Sequence, residues 1–445
     1  MGRYPPSVSG PSLLDPSATA VLRLPEFRAL LLARLSATLG MSALATVLAF
    51  FVYEITRDPL ALGLLGLVEA IPALGLILFG GHLADRRDRR TIIAVTAALT
   101  ALGTLILAAI ALDPALVGLP GILVVVFLVG IAAGFERPAL SAFEAQVIPI
   151  EYAARGASWM GAVWTGGAVA GPAIGGFAIA FLGIPATLLG VSLLLGLGVI
   201  LILRIGRKPI PVPTPGEGIV ASLTGGVRYV ARNQALIGSM ALDLFAVFFG
   251  GAIALLPIFA SEILAQPGDG PDAAAIRLGF LRAAPTVGAL LAMLLTARIA
   301  PRRRAGPLLL VSVAGFGVSM LVFGLSTSFL LSLAALFVSG FTDGVSVVIR
   351  AIILRVESPE AMRGRIASVN YLFIGASNEL GALESGVAAT LFGVVPSIVG
   401  GGIVTLGIVA VVALFLPELR RLDLGRRMVE GPGATPSDAA AARDG

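Results

Sequence analysis

The stretch Gly81-His82-Leu83-Ala84-Asp85-Arg86-Arg87-Asp88-Arg89-Arg90 decides how this chain is read. It packs six charged residues into ten positions. Apolar runs at 60–84 and 91–112 border it on both sides. About 20 apolar residues in a helix cross the roughly 30 Å hydrocarbon core of a bilayer. The stretch therefore reads as a short loop between two membrane crossings. Its arginines assign that loop to the cytoplasm, because cytoplasmic loops carry the excess of Lys and Arg.

On either side of it, apolar runs predict spans at 27–54, 60–84, 91–112, 119–148, 152–181, 184–204, 236–264, 276–299, 306–326, 328–355, 364–391 and 394–416. The resulting expectation is an all-α polytopic membrane protein with twelve transmembrane helices in two six-helix bundles. The expected division is a cytoplasmic N-terminal segment at 1–24, a first bundle at 25–205, a cytoplasmic linker at 206–235, a second bundle at 236–418 and a disordered cytoplasmic tail at 419–445. Residues 1–24 lack the apolar core of a secretory signal peptide. One set of loops carries Arg86, Arg87, Arg89, Arg90, Arg155, Arg207, Lys208, Arg302, Arg303, Arg304, Arg363 and Arg365. The opposite loops carry only Arg57 and Arg277. Both termini are thus expected in the cytoplasm of a bacterial inner membrane.

Composition agrees. Of the 445 residues, 57% are hydrophobic and 13% charged, and the mean hydropathy is +0.98. Soluble domains hold about 45–50% apolar and about 25% charged residues. The net charge of +5 lies in short runs between apolar stretches, which fits membrane topology rather than a nucleic-acid face. There is no cysteine, His82 is the single histidine and Lys208 the single lysine. Those counts remove disulfides, cysteine or histidine metal sites and a P-loop lysine preceded by glycine. No cofactor and no metal are expected, and coupling by ion gradients is favoured over ATP. An enzyme is not expected, since no nucleophile–base pair can be assembled. The expected partners are the lipid bilayer, a small-molecule substrate and protons, with the chain monomeric.

The halves repeat weakly. GHLADRRDRR after the second span aligns with ARIAPRRRAG after the eighth. Gly134-Phe135 in the fourth span matches Gly340-Phe341 in the tenth, and Arg155-Gly156 and Arg363-Gly364 open the helices that follow.

With Gly81, Asp85, Arg86, Arg89 and Arg90 in place, the loop resembles the signature of major facilitator transporters. That resemblance implies a gate motif, with the acid capping a helix of the other half and the arginines holding acidic partners. Asp88 stands where the family has glycine. The fifth span, Gly167-x-x-x-Gly171-Pro172-x-x-Gly175-Gly176, resembles the antiporter motif of drug:proton exporters. Its glycines let helices approach closely, and Pro172 bends the span. The runs 368–381, 343–350 and 242–247 are similar to enterobactin-exporter-like members. The resemblance spans about residues 25–420 and implies proton-coupled efflux of a siderophore or of drug-like molecules.

Ionisable groups inside spans are costly and mark function by default. Arg137, Ser141 and Glu144 share one face of the fourth span, and Asp343, Ser346 and Arg350 one face of the tenth. Counted from the Gly-Phe pairs, Arg137 corresponds to Asp343 and Glu144 to Arg350, with sign reversed. The resemblance puts both stripes on the central cavity, with the first, fourth, seventh and tenth helices lining it. Asn370, Ser377 and Glu384 repeat every seven residues on the eleventh span. Glu69 and Asp243 stand as isolated acids. These residues form the expected substrate and proton pathway. Arg137 and Glu144 read equally as a pair that fixes packing. Arg34 reads as a side chain snorkelling to the headgroups, and Trp159 and Trp164 as interfacial anchors or cavity walls.

The function expected is secondary active transport, a proton-coupled exporter working by alternating access. A proton-coupled uptake symporter for a small metabolite is the alternative.

Overall fold

The structure, a computed structural model, describes residues 20–210, 219–250, 252–298 and 304–425. The expected N-terminal segment up to residue 19, linker residues 211–218, Arg302, Arg303 and the tail beyond 425 lie outside the described residues. Every element among the described residues is helical, as hydrocarbon demands: a backbone with no water beside it must satisfy its hydrogen bonds within the segment.

The first half comprises α1 (Pro25–Thr56), α2 (Pro59–Gly75), α3 (Ile77–Ala84), α4 (Arg89–Ile110), α5 (Gly118–Val147) and α6 (Ala153–Leu203). The second holds α7 (Ile219–Arg232), α8 (Gln234–Gly250), α9 (Leu256–Ile258), α10 (Pro271–Arg298), α11 (Ala305–Leu325), α12 (Phe329–Glu357), α13 (Arg363–Phe392) and α14 (Val394–Phe415). Among the described residues, nine stretches are long and apolar enough to cross a membrane.

One of them, Ile150–Leu203, contains a bend where the fifth and sixth spans were expected to meet. Gly183 sits there at φ 77°, a conformation open to glycine and strained for other residues. Gly393, at φ 92°, makes the same turn between α13 and α14. The second expected span is α2 continued by α3, interrupted near Pro72, whose ring leaves no N–H for the helix ladder. The eleventh is α13, which carries Asn370, Asn378, Glu379 and Glu384 and is not among the nine apolar stretches. The seventh is not one regular helix: α8 gives way to a 3₁₀ turn, α9 and a π-helical turn at Phe259–Ile263.

The linker is partly helical. α7 lies against the second half, with Tyr229 Oη donating to the Glu357 carbonyl at 3.0 Å. Asn233 Nδ2 donates to Glu357 Oε2 at 3.0 Å, while Asn233 Oδ1 accepts from Ala235 and Leu236 N–H groups and so caps α8.

Three apolar cores hold the bundle. One joins both halves at the end that carries Arg57 and Arg277, running from Ala43–Tyr53 of α1 through Leu107 and Ile122 to Leu255–Ala260, Phe323 and Ala389. At the end that carries the arginine-rich loops, each half has its own: Phe27, Ile93, Phe143 and Ile202 in the first, and Leu236, Leu309, Ile349 and Leu419 in the second. The halves therefore meet at one end and part at the other.

The two most extensive helix crossings between the halves are α6 on α10 and α2 on α13. Both rest on glycine. A Cβ at Gly176 would lie 2.5 Å from the Ala275 carbonyl oxygen and 2.9 Å from Gly279 Cα. One at Gly386 would lie 2.9 Å from the Pro59 carbonyl oxygen and 3.1 Å from Gly63 Cα. Only backbones without side chains approach this closely.

Candidate functional site

A cavity of about 450 Å³ lies between the halves, toward their joined end. Its walls are mostly apolar: Met41, Leu48, Leu62, Leu65, Val129 and Val247 are among them. Four polar side chains break that surface, Ser42 on α1, Glu69 on α2, Arg282 on α10 and Asn378 on α13. An apolar cavity of this size with a few convergent polar groups has the character of a small-molecule site. The expected first, fourth and seventh spans do contribute lining, through α1, α5 and α8. The tenth, α12, contributes none; α2, α10 and α13 supply charge and amide instead.

The charges of the tenth span lie elsewhere, inside the second half. Arg350 forms a salt bridge with Asp243 of α8 and another with Asp343 of its own helix at 3.5 Å. The Arg350 and Asp243 side chains are only 13% and 11% exposed. Asp243, Asp343, Ser346 and Phe316 line a small void there. The first half holds a counterpart. Arg34 turns inward rather than snorkelling and pairs with Glu144 at 3.9 Å. Arg34 and Glu136 line a small void among α1, α4, α5 and α6.

These two pairs are internal-repeat equivalents with exchanged signs. Arg34 is the tenth residue of α1 counted from Pro25, and Asp243 is the tenth of α8 counted from Gln234. Glu144 follows Gly134 by ten residues, and Arg350 follows Gly340 by ten. Among the described residues, each half thus ties its first helix to its fourth by a partly buried ion pair, with the cation on the first helix in one half and on the fourth in the other.

Among the other expected pathway residues, Glu69 lines the central cavity. Arg137 is exposed and makes no ion pair within 4 Å among the described residues. Ser377 is buried and donates to the Ile374 carbonyl at 3.0 Å, while Asn370 and Glu384 are half-buried. These three do not line the cavity; Asn378 and Ala382 of the same helix do. Trp164 is 51% exposed and does not line it either. Sequence reasoning missed Arg282, Glu136 and the inward role of Arg34. Arg282 was open to discovery, being an arginine within the apolar run 276–299. Glu136 was hidden by its neighbour Arg137, from which the helical face was counted.

Among the described residues, the arginine-rich loop is held by its own half. Asp85 pairs with Arg89 at 3.3 Å, and its side chain is 65% exposed. Among the described residues Asp85 makes no contact with a helix N-terminus of the other half, the partner implied by resemblance. Arg89 donates to the Ala84 carbonyl at 3.0 Å and the Ala142 carbonyl at 3.2 Å, and Arg90 donates to the Leu203 carbonyl. Arg86 and Arg87 are exposed, and Gly81 has open space where a Cβ would point.

Asp88, at the family's glycine position, has a physical reason. It is the N-cap of α4, accepting from Arg90 N–H at 3.2 Å and Thr91 Oγ1 at 2.9 Å. Its φ of −63° needs no glycine. Asp88→Ala is expected to cost about 0.5–2 kcal/mol and Asp88→Gly only a few tenths. Thermal unfolding of the purified variants checks this order.

The glycine motif divides its work. Gly167, Gly171 and Gly175 lie on α1, against Thr38, Ser42 and Ala43. Gly176 and the Pro172 carbonyl meet Gly279 of α10. The motif therefore forms one helix contact inside the first half and one between halves.

Comparison with known proteins agrees with this architecture. Enterobactin exporter EntS of Escherichia coli O157:H7 (strain EC4115 / EHEC) is 28% identical over 422 residues, covering 89% of this chain and 93% of the relative. The same protein of Escherichia fergusonii gives the same figures. Among solved structures, the nucleoside transporter NupG superposes with a TM-score of 0.70 at 14% identity, covering 89% of this chain and 99% of its own. A bacterial homologue of the human lysosomal transporter Spinster, inward-facing and unoccupied, gives 0.68 at 15% identity, covering 92% and 98%. At those identities the structures support the fold alone. The sequence profile of the Major Facilitator Superfamily matches residues 30–304. The chain is thus an all-α, polytopic membrane transporter that belongs to the Major Facilitator Superfamily.

Proposed function

We propose that this protein is a proton-coupled exporter of an amphipathic organic molecule, a siderophore or a drug-like compound, in a bacterial inner membrane. It crosses the membrane twelve times, with both termini in the cytoplasm. The two limbs of α6 count as separate crossings, and α2–α3 and α13 complete the set. The observation that carries this reading is the central cavity between halves that are joined at one end and parted at the other. With the arginine-rich loops in the cytoplasm, the parted end faces inward and the cavity loads from the cell interior. Alternating access then follows by rocking the halves about their crossings.

Similarity to an enterobactin exporter and the glycine motif of α6 favour export. Protons enter through the acids that outnumber their cation. Around Arg350 stand Asp243 and Asp343, so one carboxyl is in surplus. A proton there neutralises the surplus, and its loss restores it.

The test uses inverted membrane vesicles energised by respiration. A fluorescent amphipathic dye is expected to accumulate in vesicles holding the protein, and a protonophore is expected to abolish accumulation. Asp343→Asn is expected to reduce it at least tenfold. Accumulation that survives the protonophore overturns proton coupling. Proton-driven efflux from the same vesicles would instead establish the uptake symporter.

A further inference from the structure

We propose that Arg282 makes the central cavity selective for organic anions, so that the transported molecule is an apolar or aromatic body bearing an acidic group. This deepens the transport reading and rests on it.

An arginine placed well inside a membrane span is expensive, about 2.5–3.5 kcal/mol even on insertion scales. The other inward-facing arginines offset that cost with carboxylates: Arg34 has Glu144, and Arg350 has Asp243 and Asp343. Arg282 has none within 4 Å among the described residues. Among the described residues its hydrogen bond runs from Nη1 to the Ala45 carbonyl of α1 at 2.7 Å. A guanidinium carries five N–H donors in a fixed fork, so most remain for something else. The space beside them is the cavity that Arg282 itself lines.

The missing counter-charge is best supplied by a ligand. A carboxylate or sulfonate meets the guanidinium with paired, charge-assisted hydrogen bonds. Leu48, Leu62, Leu65 and Val129 then cover an apolar body. Glu69, lining the same cavity from the other half, sets a second condition. It leaves Arg282 unpaired and repels a second negative charge, which favours ligands with a single acidic end. The Arg282–Ala45 bond also crosses between the halves, so anion binding and closure of the joined end share one side chain.

The test compares two probes with the same ring and opposite charge, radiolabelled 2-naphthoate and 2-naphthylmethylammonium. Both are bound to full-length protein in lipid nanodiscs. Naphthoate is expected to bind at least tenfold more tightly. Arg282→Gln is expected to remove at least tenfold of that affinity and leave the ammonium unaffected, while Arg282→Lys retains part of it. Glu69→Gln is expected to tighten naphthoate binding several-fold. Unfolding curves of each variant verify its fold, and the lysine variant carries the test if the glutamine variant fails to fold. Equal affinity for both probes, or naphthoate binding indifferent to both Arg282 substitutions, overturns the proposal. Binding of the ammonium alone overturns it while leaving the transport reading intact. If neither probe binds, anion selectivity fails, and transport is judged separately by dye accumulation in vesicles.

Discussion

Arg350→Ala is expected to destabilise the protein by about 3–5 kcal/mol and to abolish transport. Arg350 is, among the described residues, the cation that bridges Asp243 and Asp343. Its removal leaves two carboxyls facing each other in a site where the Asp243 side chain is 11% exposed. The expense comes from the charges left behind more than from the bond lost, since a buried pair as a whole contributes little net stability. The double variant Arg350→Leu with Asp243→Leu is therefore expected to recover most of the loss. A sharper version exchanges the partners, Asp243→Arg with Arg350→Asp. The first half already holds that polarity at the equivalent positions, Arg34 on the first helix and Glu144 on the fourth. The exchanged protein is expected to unfold at nearly the wild-type temperature, while each single change falls far below it. Thermal unfolding in detergent reads all five variants, and the double-mutant cycle of the exchange gives the coupling.

Gly176→Leu is expected to prevent the joined end from closing and to slow transport about 10- to 100-fold. The overpacking cost of about 1–3 kcal/mol falls on one conformation, and each 1.4 kcal/mol is tenfold in population. The atoms in the way are the Ala275 carbonyl and Gly279 Cα. Both are backbone and cannot rotate aside as a side chain would. Leucine inside either half's own core would lower stability generally; here it acts between halves, so each half should stay folded. The chain has no cysteine, so spin labels at Arg57→Cys and Gln266→Cys report the joined end directly. A longer label separation in the leucine variant, with helical content unchanged, is the expected outcome. An unchanged separation would mean that this crossing does not set closure.

Much of the fold was legible because membrane crossings write themselves as apolar runs. The expected break between 152–181 and 184–204 falls on Gly183, where one long helix bends. The seventh span was less legible, since its 3₁₀ and π-helical turns keep the same apolar composition as a regular helix. The charged residues inside spans were visible, but their partners were not. Helical spacing relates residues of one helix only, so Glu144 was weighed against Arg137 seven residues away. Its observed partner, Arg34, comes from another helix. The sign exchange between Glu144 and Arg350 was readable from the repeat, and the fourth-to-first helix geometry was needed to add Arg34 and Asp243 to it. The cavity's own arginine, Arg282, sat in plain sequence and needed only the rule that an intramembrane charge calls for explanation.

The placement of the three apolar cores also sets which way the empty protein leans. Two cores lie wholly within a half and travel intact through any rocking of the bundle. The third is shared and must be split before the opposite face can open. Splitting it wets surfaces such as Val47, Phe50, Leu255 and Phe259, a loss proportional to apolar area. The unloaded population is therefore tilted toward one face, with the other a minor state that ligand or proton must favour by differential binding. For a transporter biased in this way, the slowest step is expected to be the parting of that shared core.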